Sequence, residues 1–126
     1  MSFKIDEDEL RWLAQFGFLA VSQSDLPAAQ AIFRAVQSEL PQAPAAYVGL
    51  AVAQLGQGDT GSAIEELQRG LEMVIPSDRP ELQALMGVAL WVAGQRAESL
   101  RALKAAGDTP LALGMLDKVC RIPAGA

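Results

Sequence analysis

Residues 43–76 read APAAYVGLAVAQLGQGDTGSAIEELQRGLEMVIP, and the order of residue types in this stretch decides the fold. Leu50-Ala51 sets a small residue after a large apolar one, Gly58 marks a turn, Ala63 is a second small position, and Leu67 is a large apolar residue four places on. The series occurs earlier as Phe16-Gly17, Ser24, Ala29 and Phe33, and later as Met86-Gly87, Gly94, Ser99 and Leu103. All four columns step by 34 residues from the first copy to the second and by 36 from the second to the third. Columns that slip together define one repeated unit, with two residues inserted once. One such unit cannot bury its own apolar face, and about three stacked copies are the least that make a stable core.

A period of about 34 residues, a small residue after a hydrophobe, a small-x-x-x-large step and a closing proline (here Pro41, Pro76 and Pro110) resemble the tetratricopeptide signature. Leu13 and Tyr47 stand in the slot of its tryptophan. The resemblance covers roughly residues 8–108. It implies an all-α fold, a right-handed solenoid of three helix-turn-helix repeats over residues 8–41, 42–76 and 79–109, plus a C-terminal covering helix over 110–120. The 126 residues suit a single domain. Hydrophobic residues make up 51% but aromatics only 6%, a balance that favours helix over sheet.

The pattern predicts helices near 7–22, 26–39, 43–56, 60–74, 79–93, 96–106 and 110–120. Asp6, Glu7, Asp8 and Glu9 put negative charge where the first helix dipole favours it. Ser22 to Asp25 suit an N-cap ahead of Pro27, and Asp59 or Thr60 suits the next one. Gly56 and Gly58 are expected to supply left-handed turn conformations, and Asp78 with Glu81 has the spacing of a capping box.

Several function classes fall away. Ten basic against fifteen acidic residues give a net charge of -5, unsuited to displacing counterions from nucleic acid. The single cysteine, Cys120, allows no internal disulfide and reads as an inert thiol, and there is no apolar run long enough for a membrane span or a secretory leader, so a cytoplasmic protein is expected. With no histidine, no spaced pair of buried carboxylates, no metal-ligand spacing and no phosphate loop, neither catalysis nor a cofactor is expected.

What remains is apolar. The stretch over 43–56 carries no charge, and a helix hydrophobic all round expects burial all round. In the family it resembles, the first helix of each repeat lines the inner, concave surface. Leu50 and Ala51 belong to the stack, which leaves Tyr47 in part, and Val48, Val52 and Leu55, for the inner side. The equivalent positions are Ala14, Phe18 and Val21 in the first repeat and Ala84, Val88 and Trp91 in the third. These residues form a candidate partner-binding stripe, with Gln15, Gln54 and Gln83 at its margin. Relatives that clamp acidic tails present Lys, Arg and Asn there, and only Arg11 at the rim matches. An apolar stripe of this size needs a cover, which is an apolar segment of another protein, or else the terminal tail, the helix over 110–120 or a second copy of the chain.

The little flanking sequence, the acidic charge, the uncharged inner face and the run from Leu10 through Leu13-Ala14 to Gly17-Phe18-Leu19-Ala20 resemble small bacterial type III secretion chaperones. That resemblance implies a chaperone that keeps a needle or translocator subunit unassembled, with or without a small co-chaperone. A structural adaptor within a larger assembly is the competing expectation.

Overall fold

The computed structural model describes residues 25–121, the side chains of 118–121 excepted. Six α-helices follow one another: α1 Leu26–Glu39, α2 Pro44–Gly56, α3 Thr60–Met73, α4 Arg79–Val92, α5 Arg96–Ala105 and α6 Pro110–Arg121. A 3-10 turn, Pro76–Asp78, precedes α4, and no strand occurs among the described residues. Each helix packs on the one before it, while α2 also meets α4 and α4 meets α6. Short connections, with first helices of successive repeats meeting across the helix between them, are the geometry of a repeat stack.

The repeat columns are where the helices meet. Ala29, Phe33, Leu50, Ala51, Ala63, Leu67, Ser99 and Leu103 are all fully buried. Phe33 with Ala29 and Leu50 joins α1 to α2, and a larger cluster built around Tyr47, Leu67, Leu82 and Leu90 holds α2, α3 and α4. Ala84, Leu103, Ala106 and Ala112 join α4, α5 and α6. Burying one such Phe or Leu contributes about 1.5–3 kcal/mol. The small positions set how closely the helices approach. A Cβ on Gly49 would stand 2.2 Å from Phe33 Cζ, and one on Gly87 would stand 2.5 Å from Leu103 Cδ2. Ser99 fits the small slot because its hydroxyl donates to the Gly87 carbonyl at 2.6 Å, pinning α5 to α4.

Side-chain caps form at the two aspartates that stand directly ahead of a helix in a non-helical conformation, Asp25 (φ -88, ψ 71) and Asp59 (φ -92, ψ 73). Asp25 accepts the Ala28 N–H and Asp59 accepts the Ser62 N–H at 3.1 Å. Asp78 does not act this way, contrary to its capping-box spacing. It ends the 3-10 turn with helical dihedrals (φ -93, ψ -9) instead of the non-helical ones an N-cap takes, and its side chain caps no N–H of α4. The inserted segment is held instead by the Arg79 guanidinium, which donates to the Leu71 carbonyl at the end of α3. In the turn after α2 the left-handed residue is Gly58 (φ +78) alone, since Gly56 is still helical. The expected helices over 26–39 and 43–56 match α1 and α2 to within a residue. The helix expected over 7–22 lies outside the described residues.

Candidate functional site

A partly buried apolar row lies on α2 and α4, while Met73, Ile75, Leu111 and Leu113 are exposed elsewhere. Val48, Val52 and Leu55 on α2 and Val88 on α4 are half-buried, their inner sides resting on the central cluster. Trp91 is half-buried too, packed against the α5–α6 cluster beside Leu100, Met115 and Leu116. Val92, next to it in the last turn of α4, is 61% exposed.

The other residues of the stripe are placed differently. Tyr47 is only 3% exposed: its ring lies against the bare backbone of Gly70 on α3, and its hydroxyl donates to the Pro41 carbonyl at 2.6 Å. Ala84 is 1% exposed, covered by Leu103, Ala106 and Ala112. The helical period explains the difference. Ala84 and Trp91 lie about 40–60° around α4 from Val88, on the flank that α6 covers. Trp91 is long enough to reach out from under α6, and Ala84 is not. Gln54, expected at the margin, points inward; it is 7% exposed and its Oε1 has no hydrogen-bond partner. Gln83 is half-buried on α4. Ala14, Phe18, Val21, Gln15 and Arg11 lie outside the described residues.

Two charged features escaped the sequence reading. Glu66 on α3 is fully buried and accepts hydrogen bonds from Arg34 Nη1 (2.9 Å), Gln37 Nε2 (2.9 Å) and Arg69 Nη2 (2.6 Å). Arg34 and Gln37 belong to α1, so this carboxylate ties α1 to α3 across 32 residues of chain. Arg69, three residues after Glu66, was the one local signal. Burial, and secondarily the Glu66 charge, raise the Tyr47 phenol above its ordinary pKa, with Arg69 acting the other way. The second feature is Arg96, whose guanidinium carbon sits 5.2 Å from the centroid of the Trp91 ring.

Among the described residues no cluster of carboxylates or thiols could hold a metal ion, and no helix is long and apolar enough to cross a membrane. The arrangement offers shape and apolar area, with one cation at its edge.

No curated protein matches the chain by sequence. Solved structures do match its fold. The type III secretion translocator chaperone SycD of Yersinia enterocolitica superposes with a TM-score of 0.74 at 20% identity, covering 92% of this chain and 88% of that one. A type III secretion complex from Aeromonas hydrophila gives 0.71 at 21% identity, covering 91% and 83%. The first tetratricopeptide domain of Spaghetti (RPAP3), bound to the HSP90 peptide SRMEEVD, gives 0.73 at 13% identity, covering 94% and 95%. At these identities the likeness establishes the fold. The tetratricopeptide repeat family model itself matches residues 20–87, more than half of the chain. Repeated columns, buried column residues, stacked helix pairs and the matching family model agree, and the chain belongs to the tetratricopeptide repeat family.

Proposed function

We propose that the protein is a cytoplasmic type III secretion chaperone that holds an apolar segment of a needle or translocator subunit against α2 and α4. The observation that carries this reading is the half-exposed, uncharged row of Val48, Val52, Leu55, Val88 and Trp91 on two adjacent helices. Tyr47 and Ala84 are left out of the groove, since both are closed off by neighbouring helices. A preformed apolar face lowers the entropic cost of binding, and a helical or extended segment laid along it is a recurring mode of recognition. The likeness to SycD supports the choice of client, because that chaperone has been solved with a peptide of the translocator YopD.

Co-expression with the needle and translocator subunits of the same genome tests the proposal. A stoichiometric complex that co-elutes on gel filtration, and that Leu55→Asp disrupts, is the expected result. Failure of every such subunit to bind overturns the chaperone reading. A free protein that self-associates through Val52 and Val88 overturns the open groove as well.

A further inference from the structure

The second helices of the three repeats, α1, α3 and α5, are joined differently at their two junctions. The backbones of α1 and α3 do not pack closely, and neither do those of α3 and α5, so side chains close each gap. Between α1 and α3 they are polar: Glu66 on α3 accepts from Arg34 and Gln37 on α1, with Arg69 beside them. The repeat interval locates the counterparts at the next junction. Arg34 and Gln37 step by 34 residues to Gln68 and Leu71, and Glu66 steps by 36 to Ala102. Gln68 is exposed, while Leu71 and Ala102 belong to the central apolar cluster that also holds α2 and α4. One junction is a charged clasp and the other is core.

We propose that the Glu66 clasp is a hinge, at which α1 swings against a body formed by α2 to α6, pivoting where Phe33 meets Gly49 and Leu50. The two junctions differ in what opening costs. When the clasp parts, Glu66 regains water and the two half-exposed arginines lose little, because the desolvation penalty of a buried carboxylate largely offsets its attraction to them in the closed state. Parting Leu71 from Ala102 exposes apolar surface with nothing gained in return. Apolar clusters run unbroken from α2 to α6, since the central one reaches α5 through Ala102 and the next joins α4, α5 and α6. The Ser99 hydroxyl on the Gly87 carbonyl pins α5 to α4 as well. Among the described residues, the only apolar cluster that α1 shares with that body is Ala29, Phe33 and Leu50. A stiff unit tied to its neighbour by one contact and one polar clasp moves as a hinged element. The hinge does not depend on the groove reading, because Val48, Val52, Leu55 and Val88 all lie on the stiff side and keep their spacing when α1 moves.

Paired spin labels on the full-length protein test the hinge. Ala31, Glu65 and Arg101 are exposed, share one repeat column and lie on α1, α3 and α5, so cysteines there in a Cys120→Ser background report both junctions from equivalent sites. The distance distribution between residues 31 and 65 should be broader than that between 65 and 101, and it alone should lengthen in about 1 M salt, where the screening length is about 3 Å. Arg34→Ala with Gln37→Ala leaves Glu66 short of donors and should lengthen the first distance further without moving the second. Installing the residues of the other junction, by Arg34→Gln, Gln37→Leu and Glu66→Ala, should narrow the first distribution to the width of the second and remove its response to salt. Equal widths and no salt response in the wild type overturn the hinge. So do both distributions broadening together when the α1 donors are removed, and a first distribution that stays broad after the exchange of residues.

Discussion

At the scale of single residues, the buried Glu66 carries the sharpest energetic asymmetry. A carboxylate removed from water survives because two guanidiniums and an amide satisfy it, and both arginines remain about half exposed. Removing the acid therefore lets the arginines turn to solvent, whereas removing the arginines strands a buried charge. Glu66→Leu should cost at most about 1–2 kcal/mol, and Arg34→Ala with Arg69→Ala together about 3 kcal/mol or more, as read by urea unfolding. The reverse order would mean that Glu66 acts through packing alone. Gln54 poses the opposite case: its buried Oε1 accepts no hydrogen bond, a penalty of about 1–3 kcal/mol, so Gln54→Met should raise the melting temperature. Tyr47 is the only tyrosine, and the phenolate absorbance reports it directly. Because its folded pKa lies above the unfolded one, the stability it lends is complete below about pH 10 and is lost as pH rises through the folded value. The absorbance midpoint of the native protein should therefore lie above that of the urea-unfolded chain.

At the scale of elements, caps and flanks separate what was legible in the sequence from what was not. The columns at Ala29, Phe33, Ala63, Leu67 and Leu103 could be read because helix-to-helix contact within a repeat depends on residues a fixed distance apart, and all of them are buried. Two of the three caps were legible for the same local reason. The Asp78 box failed because the inserted residues coil into a 3-10 turn, which the spacing of Asp78 and Glu81 does not encode. The closure of Ala84 by α6 and of Tyr47 against Gly70 depends on the neighbouring helix, information that no single column holds. The contrast between caps is measurable. Asp59→Asn should lower the melting temperature at neutral pH and Asp78→Asn should not. Hydrogen bonds from Ser62 hold the Asp59 carboxyl below its ordinary value, so its stabilising effect is present above about pH 4 and fades as pH falls through the folded value. The gap in melting temperature between wild type and Asp59→Asn should close correspondingly in acid.

At the scale of the whole molecule, the stack has to spend its apolar residues on two surfaces at once, and one pair of substitutions on sister columns distinguishes them. Leu67 is fully buried between helices, and an aspartate there places an unpaired charge in the core of a fold whose total stability is about 5–15 kcal/mol, so Leu67→Asp should unfold the protein. Leu55 lies half-exposed on α2 with only its inner side on the central cluster, so Leu55→Asp should keep near-native helicity by circular dichroism. If α2 and α4 form the client surface, that folded variant loses its partner, and Trp91→Ala weakens binding by about 2 kcal/mol or more, roughly thirtyfold. Apolar contact also fixes the response to salt. Raising ionic strength to physiological levels should weaken the complex only slightly. A complex that dissolves steeply with salt, or a Leu55→Asp variant that binds normally, would assign the half-exposed row to ordinary packing and move the binding surface elsewhere on the stack.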